Sequence, residues 1–115
     1  MVMLAEMKCS ACKEGDPPLT DDEINAYHIE VPRWQVLEDA GVKKLRRVFT
    51  FKNFLAALAF TNTVGQAAEA AGHHPALLVE WGRVTVAWWT HKIHSLHKND
   101  FIMAAMTDQL YTGEN

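Results

Sequence analysis

Long apolar runs are missing from this chain of 115 residues. No stretch reaches the ~18 consecutive apolar residues that suggest a membrane-spanning helix. The opening Met1-Val2-Met3-Leu4-Ala5-Glu6-Met7-Lys8 carries no basic leader ahead of an apolar segment, so we expect no signal peptide. Positive charge is also in short supply. Against 14 Asp and Glu stand 11 Lys and Arg, a formal net charge of -3. Nucleic-acid binding usually asks for a basic face, so no such partner is expected. Cysteine is scarce too. Cys9 and Cys12 form a lone CxxC, and a structural zinc site would want four ligands. A redox pair should sit at a strand-to-helix junction, whereas this one precedes Gly15-Asp16-Pro17-Pro18 in a polar head. The expectation is reduced, non-catalytic thiols in a cytoplasmic protein. A metal or regulatory role is the alternative.

What is present suits one domain. Hydrophobic residues make up 49% of the chain and charged residues 22%, enough for a single core. Residues 1–19 read as a loosely ordered head and 20–115 as the domain. Thr20-Asp21-Asp22-Glu23 has the form of a capping box, opening a helix that runs to about Glu30 before Pro32. Trp34 to Leu37 predicts a short strand, and Glu38-Asp39-Ala40-Gly41 a turn. Leu45, Arg47, Phe49 and Phe51 alternate with Arg46, Val48 and Thr50, as in a half-buried strand. Arg46 and Arg47 are expected in solvent.

From Asn53 to Ala71 the period becomes helical, with Phe54, Leu55, Leu58, Ala59, Val64, Ala67, Ala68 and Ala71 on the apolar side. Gly72 stands where a helix often ends in a left-handed turn, and Gly65 suggests a close-packed position. Leu77–Trp81 and Val84 to about His91 predict two more strands around a tight Gly82-Arg83 connection. A last helix covers Asn99 to Leu110, with Phe101, Ile102, Ala105, Met106 and Leu110 inward. Short connections imply antiparallel hairpins. The expected fold is α+β: a four-stranded antiparallel sheet with three helices on one face, in the order α-β-β-α-β-β-α.

The chemistry-bearing residues follow the second helix. They are His73-His74-Pro75, then Thr90-His91, then Asp100 nine residues further on. Histidine can give or take a proton near neutral pH, so a pair on separate segments can divide acid and base duties. Pro75 biases His74 toward an extended conformation, and neighbouring extended residues point opposite ways. His73 and His74 should therefore do different jobs.

The pattern Glu69-x-x-x-His73-His74-Pro75, Val84-x-Val86, Thr90-His91, Leu96 and Asp100 resembles the pterin-4a-carbinolamine dehydratase family. The likeness covers about residues 19–111. From His73 to Ala105, with Glu80-Trp81-Gly82, Trp88-Trp89 and Asn99-Asp100-Phe101, it is similar to the bacterial branch associated with phenylalanine hydroxylase. The resemblance implies dehydration of 4a-hydroxytetrahydrobiopterin to quinonoid dihydropterin and water, with no metal or other cofactor. It implies acid–base roles for His73 and His91 and substrate binding by His74. It also places Glu69, Pro75, Thr90 and Asp100 at the substrate, and it implies a homodimer or homotetramer.

For Asp100 and Glu69 plainer readings stand beside these: a carboxylate favouring a helix N-terminus, and a solvated helix-end charge. The chain departs from the family at Leu77, often aromatic there, and at Lys92-Ile93-His94-Ser95, often glycine-rich. It also carries His97 where relatives often have a serine cap. Sheet packing is the default for Trp81, Trp88 and Trp89. Two rival functions remain. His91-x-x-His94-x-x-His97 could suggest a metal site, although ligands so spaced need a helix to share a face. An interaction or oligomerisation module could use Met103, Ala104, Ala105 and Met106 on the last helix.

Overall fold

The computed structural model describes residues 4, 7, 9 and 16–111. Three α-helices, α1 (Asp21–His28), α2 (Phe54–Ala71) and α3 (Lys98–Leu110), pack on a sheet of β1 (Gln35–Asp39), β2 (Val42–Thr50), β3 (Ala76–Glu80) and β4 (Arg83–Trp88). Every pairing is antiparallel and the strand order is β1-β2-β4-β3. The element order and the antiparallel sheet match the sequence expectation.

Local chemistry explains the boundaries. Thr20 accepts the Glu23 amide proton, and the Glu23 carboxylate accepts from the Thr20 amide, so the capping box forms. Asn53 caps α2 through the Ala56 N–H at 2.8 Å. Gly72 ends that helix in the left-handed region, φ 67°, where a glycine avoids the Cβ clash. The β1–β2 turn is Ala40-Gly41, both at positive φ, as a two-residue type I′ hairpin requires. Glu38 and Asp39 thereby join β1 rather than the turn.

Residues directly opposite in an antiparallel ladder share a face. Leu45 faces Trp88, Phe49 faces Val84, and Leu77 faces Val86, all toward the helices. Leu45, Phe49, Val84, Val86 and Trp88 are buried there against Phe60, Val64, Ala68 and Phe101. Full burial of each large side chain contributes roughly 1.5–3 kcal/mol. Leu4 belongs to the same core, so the head is tied down at that residue. Lys44, Arg46, Val48, Thr85, Ala87 and Leu78 fall on the opposite, open face.

Several expectations about burial need correction. Arg47 is not solvated: its side chain is 11% exposed and pairs with Asp108 at 2.5 Å. Its period-two position puts it on the helix face, and α3 supplies the carboxylate that makes burial tolerable. Asp108 also accepts the Trp34 indole N–H at 2.8 Å. In α2 the core stripe is Ala57, Phe60, Val64 and Ala68, whereas Phe54, Leu58 and Leu55, the last 74% exposed, point outward. A Cβ on Gly65 would meet nothing within 4 Å, so no close packing occurs there. Trp81 sits in the β3–β4 turn, 72% exposed, rather than in the sheet. Met103 and Ala104 are buried within the chain and unavailable to a partner.

Candidate active site

The end of α2, the start of β3, the end of β4 and the start of α3 meet at one end of the sheet. The αL turn at Gly72 redirects the chain: the Gly72 and His73 amides donate back to α2 carbonyls, the latter to Ala68 at 3.2 Å. His73 then turns inward. Its side chain is 12% exposed, against 62% for His74. The opposite orientations expected of these neighbours are present.

His73 Nε2 lies 2.6 Å from Asp100 Oδ1. An ionised carboxylate only accepts, so Nε2 carries the hydrogen and Nδ1 is left for other chemistry. The imidazole also lies flat on Trp88, with ring centroids 5.7 Å apart and planes 7° apart. Trp88 is fixed in turn by its indole N–H, which donates to Thr107 Oγ1 at 3.2 Å.

Asp100 is fully buried. Besides the His73 contact it accepts Thr90 Oγ1–H at 2.7 Å and the His97 backbone N–H at 2.9 Å. The helix N-terminus reading of Asp100 is realised. It completes the α3 capping box with His97, whose Nδ1 accepts the Asn99 amide proton, and it anchors a site histidine. Thr90 gives its hydroxyl proton to this carboxylate and sits beneath the site.

His74 Nε2 contacts Glu69 Oε1 at 2.8 Å, a pair exposed on the α2 end. Pro75 is half-buried and leads into β3. His91 follows Thr90 where β4 has ended; the chain there forms a 3-10 turn over His91–Ile93. Its ring is stacked on Trp89, centroids 4.6 Å apart and planes 20° apart. Two consecutive tryptophans, the last residue of β4 and the one just beyond it, therefore each carry one histidine, Trp88 under His73 and Trp89 under His91. Sequence reading missed this pairing, although Trp88-Trp89 directly before Thr90-His91 was a visible signal.

His94 takes the left-handed conformation, φ 51°, within the Lys92-Ile93-His94-Ser95 loop. Among the described residues no group of three or more His, Cys, Asp or Glu is placed to hold a metal ion. His97, one of the three in the suspected metal pattern, is turned into the helix cap instead. Of the CxxC pair, Cys9 is half-buried near the α2–α3 groove, while Cys12 lies outside the described residues. Burial raises the Cys9 thiol pKa, and the negative charge of Asp100 adds to the rise. Such a thiol stays protonated near neutral pH and is a poor nucleophile. No helix among the described residues is long and apolar enough to cross a membrane.

A family model described as pterin 4 alpha carbinolamine dehydratase matches residues 17–110. A Microcystis aeruginosa protein named for pterin-4-alpha-carbinolamine dehydratase is 52% identical over 115 residues, covering 100% of this chain and 99% of the relative. A Marinobacter nauticus protein of the same name is 57% identical over 111 residues, 96% of this chain and 100% of the relative. Among solved structures, a transcriptional coactivator/pterin dehydratase from Brucella melitensis is similar with TM-score 0.73 and 29% identity. It covers 82% of this chain and 98% of that one.

Proposed function

The chain belongs to the pterin 4 alpha carbinolamine dehydratase family, and from that membership and the site geometry we infer how it converts a 4a-hydroxytetrahydropterin to quinonoid dihydropterin and water. It is a lyase. The carbon–oxygen bond at C4a breaks and the hydroxyl leaves with a proton from one histidine. The neighbouring ring nitrogen gives its proton to a second histidine, and the N–H electron pair closes the new C=N bond. Atoms balance as one water lost, with no change of oxidation state.

His73 and His91 are the two proton-transfer groups in this reading. The observation that carries it is the restraint on His73: a buried carboxylate on Nε2 and an indole under the ring leave Nδ1 as the working atom. Each positioned proton transfer typically contributes 10² to 10⁴ in rate. His74, paired with Glu69 and more exposed, binds and orients the pterin. Pro75 shapes that end of the site, while Thr90 and Asp100 hold the His73 side in place.

We place the activity in residues 20–115, with residues 1–19 a head that packs on it through Leu4, Met7 and Cys9. We further propose a cytoplasmic homodimer or homotetramer serving tetrahydropterin recycling beside phenylalanine hydroxylase. The outward apolar residues of α2 (Phe54, Leu55, Leu58) support self-association. The alternative module on α3 loses support because Met103 and Ala104 are internal.

The deciding assay is dehydration of freshly generated 4a-hydroxytetrahydrobiopterin by the purified protein. Acceleration over the spontaneous rate, abolished in the His73→Ala, His91→Ala double variant, is expected. Folded protein that leaves the spontaneous rate unchanged would overturn the assignment.

A further inference from the structure

Four side chains form a chain of contacts beyond the end of β4: Asp39, Lys44, Trp89 and His91. Lys44 Nζ lies 3.2 Å from Asp39 Oδ2 and 4.1 Å from the centre of the Trp89 ring. The register explains the meeting. Leu45 is opposite Trp88, the last pair of the β2–β4 ladder, so the next residues on each side, Lys44 and Trp89, come close where the ladder ends. An ammonium above an indole face is attracted by the ring quadrupole, and Asp39 anchors that ammonium. The indole thereby contacts both the Lys44 ammonium of β2 and the His91 ring.

The two site histidines differ in how they are restrained. His73 has both a hydrogen bond and a stack. Among the described residues the His91 ring has the stack on Trp89 and no side-chain hydrogen bond. His91 also begins an exposed 3-10 turn rather than ending a paired strand. Its ring plane therefore depends on the indole.

We propose that Trp89 is a positioning residue for His91, holding the imidazole at the pterin, with Lys44 and Asp39 holding Trp89. The inference rests on the reading of His91 as a proton-transfer group given above. Without the indole the ring samples other rotamers, and misplacement of a reacting group by about 1 Å can cost on the order of 10²-fold in rate. Because the imidazole remains in the chain, the expected loss is smaller. Trp89→Leu should lower kcat by about tenfold and leave KM within about twofold. Trp89→Phe keeps an aromatic shelf and should recover most of the loss.

Two readouts separate this from a general packing defect. In proton NMR the His91 ring signals should lie upfield because of the indole ring current. They should move downfield in Trp89→Leu and much less in Trp89→Phe. In a His91→Ala background, Trp89→Leu should lower kcat no further. If His91→Ala cripples the enzyme but Trp89→Leu made alone in the wild-type chain leaves kcat unchanged, this inference is overturned and the acid–base reading stands. An undiminished Trp89→Leu effect in the His91→Ala background also overturns it, since it would mean that the indole acts on the substrate directly. Wild-type activity in His91→Ala would instead overturn the acid–base reading, and this inference with it.

Discussion

His73 and Asp100, 27 residues apart in sequence, meet at 2.6 Å around the β3–β4 hairpin. The carboxylate reaches the imidazole from the first turn of α3 and is shielded from water. One group therefore fixes the tautomer of a site histidine, receives the Thr90 hydroxyl and caps a helix.

Asp100→Asn tests this arrangement. The amide has one acceptor oxygen and an NH2 that must face one of three donors. The His73 tautomer is no longer enforced, and a buried bond is lost. We expect kcat to fall by about 10²-fold or more, by analogy with general acid–base losses. Stability should fall by about 1–3 kcal/mol. Denaturant melts alongside kinetics check both; near-normal kcat in the folded variant would remove Asp100 from the positioning of His73.

The two adjacent histidines should separate kinetically. His73→Ala is expected to lower kcat, while His74→Ala mainly raises KM, because lost ground-state binding and lost transition-state contacts act on different constants. Glu69→Gln should follow His74→Ala in kind and be milder, since that pair is exposed. Steady-state kinetics on the three variants would refute the division if all changed both constants equally.

Leu4 offers a test of the head. It is buried in the core although it precedes the capped start of α1 by many residues. Leu4→Ala should cost about 2–4 kcal/mol of stability while leaving kcat within a few fold at temperatures where the variant is folded. A melt unchanged from wild type would show that the head contributes nothing to packing.

Ala40 is a site for gain. It holds φ 52° beside Gly41 in the β1–β2 turn, a conformation that costs alanine roughly 1–2 kcal/mol relative to right-handed geometry. Asparagine is the favoured residue at this place in a type I′ turn. Ala40→Asn should raise stability by about 0.5–1 kcal/mol, read as a higher melting midpoint with activity unchanged.

Much of this was legible in the sequence, for identifiable reasons. Thr20 with Glu23, Gly72 after Ala71, and Pro75 after His74 are local signals whose physics does not depend on distant contacts. The face of α2 was harder. Phe54, Leu55 and Leu58 compete with Ala57, Phe60 and Val64 for the apolar stripe, and periodicity cannot rank two stripes of similar hydrophobicity. The sheet decides by accepting Phe60 beside Phe49 and Phe51. The burial of Arg47 is not legible in the sequence because its partner, Asp108, comes 61 residues later. The histidine pattern marks the candidate site, but the Trp88 and Trp89 shelves needed the three-dimensional path of the chain at and beyond the end of β4.

The proposed site is drawn from residues 69–100, a short continuous stretch wrapped around one hairpin. Closing a loop of this length is entropically inexpensive compared with pairing distant strands. The His73–Asp100 contact cannot form until β3 and β4 pair and α3 docks, so the site should mature as one local folding unit. In hydrogen exchange the amides of β4 and of the first turn of α3 are then expected to open together, and a weakened α3 start would unmake the site before it unfolds the sheet.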